Sequence, residues 1–317
     1  MQPALLFSSD ADRDGPGRRS LASRCRSGEL LRLRPGVYVS SAEWEHLPRW
    51  EREITMLVAA AEQGRNPRVL VQESAAIAWG IPTIGSTTEI MVLASAPSHA
   101  RRRGGIRWAE RQLLEPLSET SGFAVTSRAQ TVLDMAAYLP FERAVPAMDH
   151  VLRPDPGRGL APLDKMVLRN LAQSLPTQAK RTRALRVINF ADVRSESPGE
   201  SFSRAVIHRL GFPPPDLQKE FRSSGGRVLG RTDFFWPQRN LVGEFDGAVK
   251  YGASLNGTVG QSQQALLREK RREDAIRATG VGFVRWSWAD ALRPPHDPGG
   301  LAQILTRAGL PRNRRQK

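Results

Sequence analysis

Between Val228 and Asp246 the sequence leaves little freedom. Val228–Trp236 and Leu241–Asp246 are β-prone runs joined by Pro237-Gln238-Arg239-Asn240. Proline suits the second position of a type I turn and asparagine tolerates the left-handed conformation at its end, so the two runs predict a hairpin. Pairing Trp236 with Leu241 sets Asp233 opposite Glu244, and Asp246 falls on the same face two residues along. Facing residues of an antiparallel pair hold their Cβ atoms about 4.5–5.5 Å apart. Three carboxylates therefore converge on one patch of otherwise apolar strands. They repel one another unless a cation or a proton stands between them. A hard divalent cation, Mg²⁺ or Mn²⁺, is the counter-ion that such oxygen ligands take. Lys250, four residues past Asp246, adds a charge able to orient or activate water. A carboxylate-held metal that polarises a phosphodiester and supplies hydroxide is the economical chemistry of phosphate-ester hydrolysis.

Charge points to the substrate. Lys+Arg 47 against Asp+Glu 32 leaves +15 over 317 residues. Arginine supplies 41 of those 47, a bias that genome base composition alone can produce. A surplus this large nevertheless recruits polyanions, and nucleic acid, DNA first, is the expected partner. With 40% hydrophobic and 25% charged residues the chain buries ordinary cores, and its length predicts two or three domains. The single cysteine, Cys25, allows neither an internal disulfide nor a CxxC metal site, which fits a reducing cytoplasm. Ala4-Leu5-Leu6-Phe7 is too short for a signal segment. No uncharged apolar run reaches the roughly 18 residues of a membrane span, so no membrane role is expected. The five histidines show no HxH or HExxH spacing, and neither GxGxxG nor a P-loop occurs. No zinc site and no nucleotide cofactor are implied.

Punctuation separates a first block, 1–65, a middle region, 66–185, a third block, 195–309, and a basic tail, 310–317. In the first, Leu21 and Cys25 share a helical face, Arg18, Arg24 and Arg26 spread over the others, and Gly28 ends the turn. Leu31-Arg32-Leu33-Arg34 then alternates with period two, Pro35-Gly36 turns, and Val37-Tyr38-Val39 returns. Helix followed by basic hairpin is the layout of a winged helix, in which Arg24, Arg26, Arg32 and Arg34 would contact phosphate. The middle region predicts a helix over Glu73–Trp79 and a strand over Glu89–Leu93. After the cluster Arg101-Arg102-Arg103, a helix over Ser127–Leu139 follows, with Ala129, Val132, Leu133, Ala136 and Ala137 on its apolar side. In the third block Ser197-Pro198-Gly199-Glu200 starts a helix by local rules, Glu200 reaching back as a capping box. Phe202, Val206 and Leu210 mark its buried face, and Leu217–Phe221 is a short strand. Glu269–Asp274 is a charged helix face, with Arg271 and Arg272 as further phosphate contacts. Trp286 and Trp288 share a face of a following strand and belong to the core.

Several segments carry a resemblance. Gly230-Arg231-Thr232-Asp233-Phe234-Phe235-Trp236-Pro237, Leu241-Val242-Gly243-Glu244-Phe245-Asp246-Gly247, Glu269-Lys270-Arg271-Arg272-Glu273-Asp274 and Gly282-Phe283-Val284-Arg285-Trp286 resemble the restriction-endonuclease-like PD-(D/E)XK superfamily. The similar branch is the one related to very-short-patch-repair endonucleases, over roughly residues 195 to 292. The resemblance implies Asp233 as first metal ligand, Glu244 as second and Glu200 as the acid of the first helix. The superfamily's lysine position, two after Glu244, holds Asp246. Either Lys250 or Lys270 is left to replace that lysine. More loosely, Arg26 to Val39, Glu73 to Pro82 and Thr126 to Asp134 are similar to AbiEi-type antitoxins and transcriptional regulators of type IV toxin–antitoxin systems. That similarity implies an N-terminal winged helix on DNA and a cognate toxin as partner.

The expectation is a multi-domain α/β protein: winged helix, mixed α/β middle region, and a C-terminal restriction-endonuclease-like domain with a mixed sheet. The expected activity is Mg²⁺-dependent endodeoxyribonuclease, with Asp233, Glu244, Asp246, Lys250 and Glu200 at the site. The competing expectation is a non-catalytic regulator or antitoxin that keeps the nuclease fold as a binding module.

Overall fold

The computed structural model describes residues 3–9, 18–61, 68–85, 89–96, 99, 101–247 and 259–312. The protein is mixed α/β with several small sheets. It divides into two compact units, 1–139 with 154–188 and 140–153 with 189–317. Among the described residues no helix is long and apolar enough to cross a membrane.

The first unit begins with β1 (Leu6–Phe7), α1 (Arg18–Arg26), β2 (Leu30–Arg34) and β3 (Val37–Ser40), the strands forming a sheet in the order β1-β3-β2. Leu21, Leu30 and Tyr38 form its small core, with Leu6 and Cys25 against it. The expected helix and hairpin are present, but the alternation along β2 is not the expected one. Pairing with β3 shifts register between Arg32 and Arg34. Leu30 faces the core before the shift, leaving Leu31 38% exposed, and the bulge after Arg32 turns Arg34 in, leaving it 7% exposed.

Two helices, α2 (Ser41–His46) and α3 (Arg49–Ala61), lead to α4 (Gln72–Trp79), which Gly80 closes in the left-handed conformation. Then come β4 (Ile90–Leu93), β5 (Arg101–Arg103) and β6 (Ile106–Ala109), a sheet of order β4-β6-β5, and the hairpin β7 (Ser118–Thr120) and β8 (Phe123–Val125). The sequence suggested a boundary near residue 65. Leu57 and Ala60 of α3 are instead buried in one cluster with Ile77, Ile90, Val92, Ile106 and Val125, so the first and middle blocks share a core. Helix α5 (Arg128–Tyr138), capped by Ser127, is buried on every side from Ala129 to Ala137, beyond the stripe that its periodicity predicts. Phe141–Val151 (α6) belongs to the second unit. The first is completed by α7 (Lys165–Ala172) and most of α8 (Gln178–Phe190).

The second unit is organised on α9 (Pro198–Arg209), buried from Gly199 to Ile207. Its sheet has the order β12-β11-β10-β9, from β9 (Asp216–Arg222), β10 (Val228–Trp236), β11 (Leu241–Asp246) and β12 (Gly282–Ser287). Both hairpin strands have the expected bounds, and Trp236 pairs with Leu241. Asn240 closes the connection at φ 44°. Strand β12 runs parallel to β11 after the crossover helix α10 (Val259–Arg277). Phe221, Phe235, Val242, Ile276 and Val281 pack between that helix and the sheet. Trp286 is buried, its Nε1 donating to Ser203 Oγ at 2.8 Å. Trp288 lies beyond the strand, opening α11 (Trp288–Leu292), because Ser287 and Asp290 form a capping box there. Helix α12 (Leu301–Arg307) ends the described fold.

Candidate acidic site

The sheet opens at Asp233. Antiparallel pairing of β10 with β11 runs from Trp236–Leu241 to Phe234–Gly243. One step further, where Asp233 would face Glu244, Asp233 Oδ2 instead accepts the backbone N–H of Phe245 at 2.9 Å. On the other flank β9 pairs through Leu217–Phe234 and Lys219–Thr232. The residue between them, Gln218, has φ 56°, a left-handed conformation that costs a non-glycine residue of order 1–3 kcal/mol. Its amide Nε2 donates to Glu200 Oε2 at 2.9 Å. Both neighbours of β10 thus depart from regular pairing at the same residue.

Glu200 arrives from α9. Ser197 Oγ accepts Glu200 N at 3.2 Å, as the capping pattern predicts. The return half differs: Glu200 Oε2 takes the N–H of Glu196 at 2.9 Å, one residue before the cap. Gly199 lets the helix end come this close, since a Cβ there would overlap the ring of Phe245.

Glu244 is 8% exposed, and each of its oxygens accepts from a guanidinium. Arg272 Nη2 reaches Oε1 at 2.7 Å and Arg285 Nη2 reaches Oε2 at 2.8 Å. The same groups bind Glu269, at 2.6 Å from Arg272 and 2.8 Å from Arg285, and Arg285 pairs with Glu273 at 3.0 Å. Parallel register explains half of this, because Arg285 of β12 stands beside Glu244 of β11. Helical spacing explains the rest, with Glu269, Arg272 and Glu273 on one face of α10. Arg272 first and Arg285 second hold the Glu269 carboxyl down at about 2. Asp233, by contrast, is pushed up to about 7, by burial first, then by the charges of Glu200 and Glu244, with the Phe245 N–H acting against them.

The expected site residues are thus partly united. Glu200, Asp233 and Glu244 act on one another, whereas Asp246 is exposed at the end of β11. Lys250 lies outside the described residues, and Lys270 is exposed on α10. Among the described residues no group of three His, Cys, Asp or Glu stands ready to hold a metal. The donor set fits a divalent cation in its charge: Asp233 Oδ1 and Glu200 Oε1 carry no hydrogen bond among the described residues. Glu244 would join only by releasing an arginine. Arg285, though within the segment Gly282–Trp286 that carries the resemblance, is given no role at the site by the sequence, because the parallel pairing that brings it here is not legible from spacing.

The expected phosphate contacts divide in the same way. Arg26, Arg32 and Arg271 are exposed. Arg24 binds Glu29 at 2.6 Å. Arg34 is buried, its Nη2 donating to Gly104 O at 2.8 Å, and Arg272 is committed to Glu244 and Glu269. Arg34 and Arg272 are therefore structural: the bulge in β2 turns one inward, and the acid network holds the other.

No family model matches the chain. Two relatives from Mycobacterium tuberculosis, the uncharacterized proteins MT2308 (strain CDC 1551 / Oshkosh) and Rv2248 (strain ATCC 25618 / H37Rv), are each 28% identical over 195 residues. The match covers 60% of this chain and 64% of the relatives' own length. A crystal structure of the RV2827C protein from Mycobacterium tuberculosis aligns over 70% of this chain and 84% of that one, at 13% identity and a TM-score of 0.36. That score is too low to bear on the fold.

Proposed function

We propose that the chain is a DNA-binding protein whose second unit is a metal-dependent endonuclease of restriction-endonuclease-like type. One observation carries the reading: where regular pairing on both sides of β10 stops, the buried Asp233 stands within the charge influence of Glu200 from α9 and Glu244 from β11, which with burial raises its pKa to about 7. Like charges gathered where an interior strand loses its regular pairing serve stability poorly, and a bound Mg²⁺ or Mn²⁺ would neutralise them. Asp233 and Glu200 would hold the cation, with Glu244 joining only on release of an arginine, and the bound cation would polarise a phosphate and activate a water. The chain's own residues set the rest. The Phe245 N–H and the Gln218 amide orient the Asp233 and Glu200 carboxylates, while Arg272 and Arg285 hold the Glu244 carboxylate in place. Arg26, Arg32 and Arg271, exposed and cationic, would contact the phosphate backbone.

A second reading, the non-catalytic regulator, is favoured by the double arginine clasp on Glu244, which already neutralises one of the two principal ligands. Cleavage of supercoiled plasmid and single-stranded DNA with Mg²⁺ or Mn²⁺ separates the two. The nuclease reading expects nicking that needs metal and is lost in both Asp233→Asn and Glu244→Gln. DNA binding by all three proteins with no cutting under either metal would overturn it in favour of the regulator.

A further inference from the structure

The first unit contains a cavity of about 820 Å³, lined from β5 and β6, the segment after β6, the end of α5 and α8. Its lining carries five cations, Arg101, Arg102, Arg107, Arg111 and Lys180, against one carboxylate, Glu110. In the sequence the arginine run 101–103 signals charge and nothing more.

Two features of this lining work against stability. Arg102 stands directly opposite Arg107 in the antiparallel pair β5–β6, a like-charge pairing that destabilises a sheet. Arg102 is offset by Glu89 at 2.5 Å, but among the described residues Arg107 has no carboxylate partner. The second feature is deeper. The Arg111 side chain is only 9% exposed, and its Nε has no hydrogen-bond partner, the carboxylate it faces, Asp134 Oδ2, standing 3.9 Å away. Arg111 is nonetheless firmly placed. Nη2 donates to Gln72 Oε1 at 2.5 Å, Nη1 donates to Glu110 O at 2.6 Å, and the guanidinium lies 3.5 Å from the Tyr138 ring centroid. Gln72, which holds it, is buried with φ 52°. Lys180 Nζ stands 4.6 Å from the same ring.

We propose that this cavity is a binding site for a small polyanion bearing phosphate groups, with Arg111 and Lys180 at its inner wall and Arg102 and Arg107 at its strand side. Arginine forks match phosphate oxygens, and five cations lining one cavity against a single lining carboxylate, with no carboxylate partner for Arg107 among the described residues, call for more than one negative charge. The volume is that of a pocket for a nucleotide-sized molecule, within the roughly 300–1,000 Å³ of small-ligand sites. Nucleic-acid strands use free aromatic faces as stacking platforms. Here Tyr138 already carries Arg111 and Lys180, and Arg101 covers Trp108 at 4.7 Å. The phosphate would be held by side chains, since no glycine-rich phosphate loop contributes. The assignment is independent of the nuclease reading.

Isothermal titration with inorganic pyrophosphate and with ADP tests it on the full chain, comparing the native protein with the double variant Arg107→Ala/Lys180→Ala. Arg107 is an exposed strand residue and Lys180 is half-buried, and thermal melting checks that the variant stays folded. Both probes should bind the native protein at one site. Each lost cation should weaken binding roughly tenfold, while affinity for a short duplex DNA stays unchanged. Restoring charge with Arg107→Lys/Lys180→Arg should recover most of the affinity. Failure of both probes to bind the native protein, or equal binding by the alanine variant, would overturn the site. A parallel fall in duplex-DNA affinity would give these cations to nucleic acid and overturn the small-ligand assignment.

Discussion

Each unit buries an aspartate against an arginine, and the two pairs are built to different standards. In the second unit Asp149, fully buried, receives Arg204 Nη2 on Oδ2 and the Asp192 N–H on Oδ1, both at 2.8 Å. Arg204 spends its other donors on Ser195 Oγ and Phe190 O. In the first unit Asp134 and Arg111 approach only to 3.9 Å, and both facing atoms lack a hydrogen bond. Burial raises both carboxyls, Asp149 against the pull of Arg204 and Asp134 against Arg111 and Lys180, the latter to about 7, so the pairs differ in their hydrogen bonds and not in the direction of the shift. A buried ion pair whose hydrogen bonds are complete joins helices α6 and α9. An incomplete one beside a cationic cavity leaves bonding capacity for something else.

The sharpest way to break the contrast is to remove one partner from each pair. Asp149→Ala strands Arg204 in the core and should cost about 3–5 kcal/mol in urea unfolding. Arg111→Met in the loose pair should cost clearly less, and equal losses would erase the distinction. The pH dependence comes next. Unfolded, Asp134 releases its proton near 3.8, and folded, near 7. Between those values the folded chain holds the extra proton, so stability falls as pH rises through the window and levels above it. Asp134→Asn should remove up to about 1.4 kcal/mol per pH unit from that slope. Asp233, raised to the same value, contributes with the same sign, so Asp233→Asn should lower the slope again.

Smaller effects belong to the acid site and the hairpin. Glu244→Gln loosens Arg272 and Arg285 from a partly exposed network and should cost about 1–2 kcal/mol, while abolishing any metal-dependent cleavage. The smallest effect separates two neighbours in β2. Arg32→Ala should leave melting unchanged and lower the slope of log affinity for DNA against log salt by about 1. Arg34→Ala should leave that slope alone and lower the melting temperature, because its partner is Gly104 O.

Local chemistry accounts for what was legible beforehand. Turn residues between two β-prone runs located β10, β11 and their register, and the Ser197 cap located α9. Period-two alternation misled at Arg34, because a bulge is decided by what the strand packs against and not by its own residues. A continuous apolar stripe likewise hid how completely α5 is enclosed.

The sequence by itself determined the α/β character and the hairpin register from Trp236–Leu241 to Phe234–Gly243, both consequences of contacts within about fifteen residues. Tertiary structure decided which partners each charge received. Arg285 reaches Glu244 through a parallel pairing that no turn specifies. Glu200 reaches the neighbourhood of Asp233 because Gly199 admits Phe245, and Arg102, Arg107, Arg111 and Lys180 share one cavity because α5 and α8 contribute to its wall beside β5 and β6. The physical reason is range. Dihedral preference and side-chain period act along the chain, whereas burial and charge act through space, between residues whose separation in sequence carries no signal.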